Sequence, residues 1–155
     1  MSRFNVMLKI TAMFVVHPCA AQDGLPPVVA AAIRENQNEC VPSGRVRFGP
    51  KFIGRQDING DGVKDFILDY SHATCGAGET HFCGTGGCFT QVFASRSDGS
   101  FVRVLSDTVR NISFKRLKGR PAMVLEGHGS GCGRPGTQSC QKVLFWNGDR
   151  FSHVF

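Results

Sequence analysis

The sequence lacks two features that would point directly to a membrane or to a nucleic acid. None of its apolar runs approaches the roughly 20 residues that a membrane-spanning helix requires, so no membrane span is expected. Its 18 Lys and Arg residues are scattered, and no basic cluster interleaved with aromatic residues occurs, so no nucleic-acid partner is expected either. The 155 residues suit one domain, or at most two very small ones.

The first 21 residues predict a secretory signal peptide. They combine a basic head containing Arg3 and Lys9, a short apolar run, and small residues before Gln22. Cleavage at that point would leave 16 Lys and Arg against 12 Asp and Glu, a net charge of about +4 that selects no partner. We therefore expect a periplasmic or secreted protein in which residues 22–155 form a single β-rich domain.

The remaining residues predict one helix followed by a mainly β structure. Residues 25–38 carry apolar side chains at helical spacing, with Pro27 near the first turn. After Cys40, short β-branched and aromatic runs alternate with Gly-rich turns, a pattern typical of antiparallel, hairpin-rich structure. We expect an antiparallel sheet or sandwich, linked by disulfides, with the helix packed on it.

Two segments of the β region repeat each other. The stretch FILDYSHATCGAGETHFC, residues 66–83, matches MVLEGHGSGCGRPGTQSC, residues 123–140, at a constant offset of 57. Both copies contain a Cys-bounded loop between two strand-like runs. Self-similarity of this kind predicts two degenerate repeats, over about residues 57–106 and 114–155.

Six cysteines lie beyond residue 21, and an even number in a small exported domain predicts up to three disulfides. The pair Cys132–Cys140 is favoured because both residues lie in the second repeat, with no other cysteine near. By analogy between the repeats, either Cys83 or Cys88 would pair with Cys75. The one left over would then pair with Cys40 and tie the helix to the sheet.

The acidic stretch DINGDGVKD, residues 57–65, has the pattern of a calcium loop. Oxygen-bearing side chains recur at alternate positions, and calcium takes about six to eight oxygen ligands. Gly60 and Gly62 permit the tight or left-handed backbone that such a loop requires. The stretch does not complete an EF-hand, because Leu68 stands where a bidentate acid would be needed and a strand-like run follows.

The longer stretch DINGDGVKDFILDY resembles the FG-GAP or VCBS type of repeat, which occurs in integrin-like β-propellers and in many exported bacterial proteins. In that family the DxNxDGxxD loop links two strands and typically holds calcium. Two repeats are too few to close a propeller, which favours a compact sheet or sandwich. The resemblance implies one structural Ca²⁺ held by four side chains and one backbone carbonyl: Asp57, Asn59, Asp61, Asp65 and the carbonyl of Val63.

The second repeat has lost the acidic loop. At the offset of 57, the four ligand side chains are replaced by Phe114, Arg116, Lys118 and Ala122. One calcium site per chain is therefore expected. The same loss favours the alternative that DINGDG is an acidic turn that needs no metal.

No catalytic constellation stands out in the sequence, which favours a non-catalytic binding or structural module of the cell envelope. Its partner would be an unknown protein or envelope component that contacts the Cys-bounded loops, with candidate residues Gly76, Glu79, His81, Arg134 and Thr137.

Two alternatives to this module remain open. One is a small inhibitor that plugs an exported hydrolase with a disulfide-held loop. The other is a small hydrolase that uses the His and acid residues recurring in the two loops, Asp69 with His72 and Glu126 with His128.

Overall fold

The computed structural model describes residues 24–41, 44–78 and 80–153. Over these ranges the chain is mainly β and antiparallel, with one α-helix, as the sequence predicts. No helix in the described ranges has the length and apolar composition needed to cross a bilayer. The predicted signal peptide, residues 1–21, and the candidate contact residue Glu79 lie outside the described residues.

Helix α1 spans Pro27–Asn36, a shorter range than the predicted residues 25–38. Proline is well placed at its start, because the first helical N–H groups have no partner within the helix. Val29 and Ala32 are almost completely buried and form the face that packs on the sheet. At the end of the helix, Asn36 Nδ2 donates to the hydroxyl of Tyr70 at 2.9 Å.

Eleven strands follow α1 within the described residues. They are β1 (Arg47–Phe48), β2 (Ile53–Gln56), β3 (Asp65–Asp69), β4 (Ala73–Thr74), β5 (Cys83–Gly84), β6 (Gly87–Ser95), β7 (Phe101–Val109), β8 (Asn111–Leu117), β9 (Arg120–His128), β10 (Ser139–Trp146) and β11 (Phe151–Ser152).

The longer strands form two antiparallel meanders with the same strand order. The first meander runs β2-β3-β6-β7 and the second runs β8-β9-β10-β11. In each, a 3-10 turn follows the second strand, at Tyr70–His72 and at Gly129–Cys132. The short strand β5 pairs with the start of β6, and β1 pairs with β4 in a separate two-stranded ribbon.

The first meander lies between α1 and the second meander. Successive side chains of a strand point to opposite faces of its sheet. Phe66 and Phe93 accordingly share a core cluster with α1, and burial of each such side chain contributes roughly 1.5–3 kcal/mol. Their neighbours Ile67 and Val92 belong instead to a second cluster that includes Met123 of β9. This second cluster joins the two meanders.

Three disulfides link the described residues: Cys40–Cys75, Cys83–Cys88 and Cys132–Cys140. The Cys132–Cys140 pair agrees with the prediction. The analogy that paired Cys75 with Cys83 or Cys88 is wrong. Cys83 and Cys88 face each other across the β5–β6 hairpin, with Cα atoms 4.1 Å apart. Cys75 is buried in the core cluster that contains Cys40, beyond the end of α1, so these two pair.

Candidate functional site

The acidic loop connects β2 to β3 and curls around the carboxylate of Asp57. One oxygen of Asp57 accepts a hydrogen bond from the N–H of Gly60 at 2.7 Å, and the other accepts from Gly62 at 3.0 Å. Both glycines have a positive φ, 84° and 87°, which is the left-handed conformation that the sequence pattern anticipates. The loop therefore has its own hydrogen-bonded framework.

Asp65 begins β3 and is completely buried. Its Oδ2 accepts from the N–H of Ile58 at 2.8 Å, and its Oδ1 accepts from the N–H of Ser95 at 2.7 Å. Burial of a carboxylate is costly unless hydrogen bonds replace its hydration, and these N–H groups supply that replacement. Asp65 thereby fastens the acidic loop to the end of β6.

Ser95 is a site residue that the sequence analysis missed. Its hydroxyl oxygen lies 2.7 Å from Asp61 Oδ2 and 2.7 Å from Asp65 Oδ1. A hydroxyl carries one proton, so it donates to only one of these oxygens at a time. The other contact brings a hydroxyl lone pair against a carboxylate oxygen, an arrangement that a cation or an extra proton would relieve.

Asp61 remains ionised at neutral pH. Burial acts to raise its pKa, but hydrogen bonds from the Ser95 hydroxyl, the Val63 N–H and the Asn59 amide together lower the pKa below its usual value. The Asn59 amide donates to Asp61 Oδ2 at 3.1 Å and to the Ser95 carbonyl at 3.0 Å. The Val63 N–H donates to Asp61 Oδ1 at 2.8 Å, while the Val63 side chain is exposed.

The predicted ligand side chains therefore lie on one loop and offer carboxylate and amide oxygens, the donor chemistry that calcium prefers. In the structure these oxygens accept hydrogen bonds from N–H and O–H groups. Among the residues described, no group of three or more His, Cys, Asp or Glu side chains gathers closely enough to hold a metal ion. The donor set fits calcium, while the hydrogen-bond network also fits an acidic turn.

Arg116, which stands 57 residues after Asn59 in place of that predicted ligand, lies beside the acidic loop. A Cβ atom on Gly60 would sit 3.2 Å from Arg116 Nη1 and 3.3 Å from the ring of Pro121. A cleft separates the acidic loop from the β8–β9 hairpin, and Asp57 and Lys115 line it together with Arg116. Opposite charges in neighbouring elements reduce the repulsion among the carboxylates. The placement of these cations beside the acidic loop results from packing of the second meander against the first. The sequence repeat alone does not predict it.

Arg110, the single residue between β7 and β8, joins two disulfide-closed loops. Its Nε and Nη2 donate to the carbonyl of Thr85 at 3.2 and 3.0 Å, and Nη2 also donates to the carbonyl of Gly136 at 2.8 Å. Thr85 lies in the hairpin closed by Cys83–Cys88, and Gly136 lies in the loop closed by Cys132–Cys140. One guanidinium thus holds both loops side by side.

The predicted partner-contact residues do not all lie on this surface. Arg134 and Thr137 are exposed in the loop that Arg110 holds through Gly136. His81 is exposed two residues before Cys83, with its ring edge-on to Phe82. Gly76 has a structural role instead, since its carbonyl accepts a hydrogen bond from the Arg47 guanidinium.

The histidine and acid residues considered for hydrolysis do not form two equivalent pairs. His72 Nε2 lies 3.8 Å from Asp69 Oδ2, beyond hydrogen-bond distance. His128 Nδ1 contacts the hydroxyl of Ser130 at 2.8 Å, whereas Glu126 accepts from Gln141 at 3.3 Å. The repeat in sequence therefore does not become a repeated acid–base arrangement.

Comparisons with protein-family models, with curated proteins and with solved structures find no match to this chain. The FG-GAP or VCBS resemblance stays a prediction carried by the stretch DINGDGVKDFILDY, residues 57–70.

Proposed function

We propose that the protein is an exported, non-catalytic binding or structural module of the cell envelope. The observation that supports a binding role is the Arg110 clamp, which joins two disulfide-closed loops into one surface. Exposed loops are ordinarily the mobile part of a fold. Loops held in one arrangement lose less conformational entropy when a partner binds, so a rigid loop pair is well suited to recognition.

An oxidising compartment, periplasmic or extracellular, forms part of this proposal. Three disulfides within one small domain support it, because such bonds form and persist outside the reducing cytosol. The signal-peptide pattern predicted over residues 1–21 points in the same direction.

The proposal also includes one structural Ca²⁺ in the acidic loop, held by oxygens of Asp57, Asn59, Asp61 and Asp65 and by the carbonyl of Val63. The shared Ser95 proton supports it, because two carboxylates approach a hydroxyl that can donate to only one of them. When bound, the ion would neutralise the carboxylates and strengthen the connection from the loop to β3 and β6.

Capture of a partner from envelope extract on the immobilised protein tests the binding role. We expect a stoichiometric partner to be retained by the wild type and by Arg150→Gln, which changes an exposed arginine elsewhere. Arg110→Gln should retain at least about 10-fold less, because the two loops lose their shared donor. Equal retention by Arg110→Gln, in a variant shown to be folded by its thermal transition, would contradict the loop surface.

Calorimetric titration of calcium into the chelator-treated protein tests the metal. We expect one ion per chain and a thermal midpoint that rises with calcium, because the ion binds the native state. Asp61→Ala should lose both effects, whereas Asp98→Ala, in the exposed turn between β6 and β7, should keep them. If the wild type binds no calcium, the acidic-turn alternative is correct.

A small inhibitor of an exported hydrolase is the second candidate. The same pair of disulfide-held loops favours it, since a rigid protruding loop suits insertion into an active site. The two candidates give different results once a partner is captured. An inhibitor abolishes the activity of a captured hydrolase at a one-to-one ratio, whereas a structural module leaves that activity unchanged.

A further inference from the structure

A cleft of about 210 Å³ lies where the first meander meets the second. Strand β7 supplies Asp107 and Val109 to it, and β9 and β10 supply Leu125 and Lys142. Val109 and Leu125 are 6% and 7% exposed and belong to the core cluster that joins the meanders. The cleft therefore has an apolar floor that continues into the core.

The walls of the cleft carry two opposite charges and one hydrogen-bonded pair. Asp107 and Lys142 come from different meanders, and neither takes part in an ion pair within the described residues. One oxygen of Asp107 accepts from the N–H of Thr108 at 2.7 Å. His128 and Ser130 also line the cleft, with Nδ1 of the imidazole 2.8 Å from the hydroxyl oxygen.

The loop that presents His128 and Ser130 is held in place by several contacts. Gly129 packs against the carbonyl of Pro135, and Gly136 packs against the imidazole of His128, so neither glycine has space for a Cβ atom. Arg110 holds the carbonyl of Gly136, and the loop is closed by a disulfide. The polar wall of the cleft is therefore preorganised, which lowers the entropic cost of binding a ligand.

We propose that this cleft binds a small zwitterion of the amino-acid type. The ligand's carboxylate faces Lys142 together with the His128–Ser130 pair, its ammonium faces Asp107, and its apolar side chain rests on Val109 and Leu125. This goes beyond the proposed function, which concerns a partner on the outer surface of the loops.

Charge selects this ligand class over the simpler ones. A plain anion would be repelled by Asp107 and a plain cation by Lys142, and a neutral ligand would leave both charges without a partner as it displaced their water. A zwitterion satisfies both. The volume suits one amino acid, since about 210 Å³ equals roughly seven water molecules in the liquid.

Calorimetric titration of the full chain with leucine tests the proposal. Two matched analogues each lack one charge: N-acetyl-leucine has no ammonium, and leucinamide has no carboxylate. We expect saturable binding of leucine and binding at least about 10-fold weaker for each analogue, because each loses a charge-assisted hydrogen bond. Lys142→Gln and Asp107→Asn should weaken leucine binding by a similar factor.

Two comparisons locate the site. In Asp107→Asn, leucine and N-acetyl-leucine should bind equally, because the group that distinguishes them is gone. Lys115→Gln and Asp98→Asn, which remove exposed charges outside the cleft, should bind leucine like the wild type. Amide resonances in ¹H–¹⁵N spectra report whether each variant is folded.

Three results would overturn the proposal. They are absence of saturable leucine binding up to about 10 mM, equal binding of leucine and both analogues, and unchanged binding in folded Lys142→Gln and Asp107→Asn. The third result would mean that leucine binds elsewhere on the protein and not between Asp107 and Lys142.

Discussion

Ser95 connects the acidic loop to the end of β6 through a hydroxyl that two carboxylates approach. Its backbone N–H also donates to Asp65, so the side chain and the main chain hold the same carboxylate. The loop thus depends on a residue 30 positions away from Asp65 in sequence. The residues of the acidic loop alone do not indicate that the Ser95 hydroxyl is one of its hydrogen-bond donors.

Ser95→Ala should lower the free energy of unfolding of the calcium-free protein by about 1–2 kcal/mol, because Asp61 and Asp65 lose the one hydroxyl donor that they share. Urea unfolding measures the change. Ser113→Ala, an exposed serine in β8, is the control and should stay within about 0.5 kcal/mol of the wild type. Equal effects of the two substitutions would contradict the role assigned to Ser95.

Tyr70 gives the protein a pH dependence at the alkaline end. Burial raises the pKa of Tyr70 to about 12, above the usual 10.0, and the hydrogen bond from Asn36 opposes this only in part. Because the folded pKa exceeds the unfolded one, the stabilisation is complete below pH 10.0 and is lost as the pH rises through about 12. We expect a loss of about 2–3 kcal/mol across that range.

The measurement is direct because Tyr70 is the one tyrosine of the sequence. The absorbance of its phenolate should titrate near pH 12 in the folded protein and near pH 10 in urea. Urea unfolding of Tyr70→Phe should show a weaker dependence on pH over the same range. A phenolate that titrates near pH 10 in the folded protein would disprove the shift.

At the scale of elements, the β8–β9 hairpin carries a strained residue at its tip. Lys118 and Gly119 form the two-residue connection, with φ of 50° and 76°. Positive φ at both positions is the geometry of a tight hairpin turn in which Asn-Gly is strongly preferred. A lysine at the first position is disfavoured by contact between its Cβ atom and the backbone.

Lys118→Asn should therefore raise the free energy of unfolding, by about 0.5–1 kcal/mol. Chemical denaturation measures the change. The matched control is Lys115→Asn, which removes the same charge from within β8. Because asparagine is disfavoured in strands, this substitution should not raise the free energy of unfolding. If both substitutions shift stability in the same direction by the same amount, charge rather than backbone geometry explains the effect.

The elements themselves were largely predictable, whereas the contacts between them were not. The apolar spacing over residues 25–38 and the alternating runs after Cys40 predicted α1 and the antiparallel strands. The analogy between the repeats does not predict the Cys83–Cys88 pair, because residues 84–87 have no counterpart after Cys140 and form a hairpin with Cys83 opposite Cys88.

The site contacts behave in the same way. Ser95 and Arg110 form hydrogen bonds with groups 25 to 36 residues away in sequence. Residue patterns within a short stretch of sequence do not predict contacts at such separations. Both residues act through tertiary packing, because their partners become neighbours only after the meanders form.

At the scale of the whole molecule, the disulfides close loops of very different lengths. Cys40–Cys75 spans 35 residues and joins the segment after α1 to the end of β4, whereas Cys83–Cys88 spans 5 residues within one hairpin. In the chain-entropy view, closing a longer loop removes more freedom from the unfolded chain. The first bond should therefore contribute more to stability.

We expect the double variant Cys40→Ala/Cys75→Ala to lose about 4 kcal/mol of unfolding free energy and Cys83→Ala/Cys88→Ala to lose about 2 kcal/mol. Urea unfolding under non-reducing conditions compares them. The reverse order would show that strain or residual structure in the unfolded chain outweighs loop length.

The position of Arg110 restricts where residues can be inserted into the chain. It is the whole connection between β7 and β8, and its side chain reaches both disulfide-closed loops from that position. A single inserted residue there would move the guanidinium away from one or both carbonyls. The turns between β6 and β7 and between β10 and β11 are exposed, and the surface ion pair Arg96–Asp149 that joins them is a weaker constraint than the hydrogen bonds that Arg110 donates to both loops. Length differences during evolution should therefore accumulate in those turns, and a fusion or tag inserted into the chain belongs there.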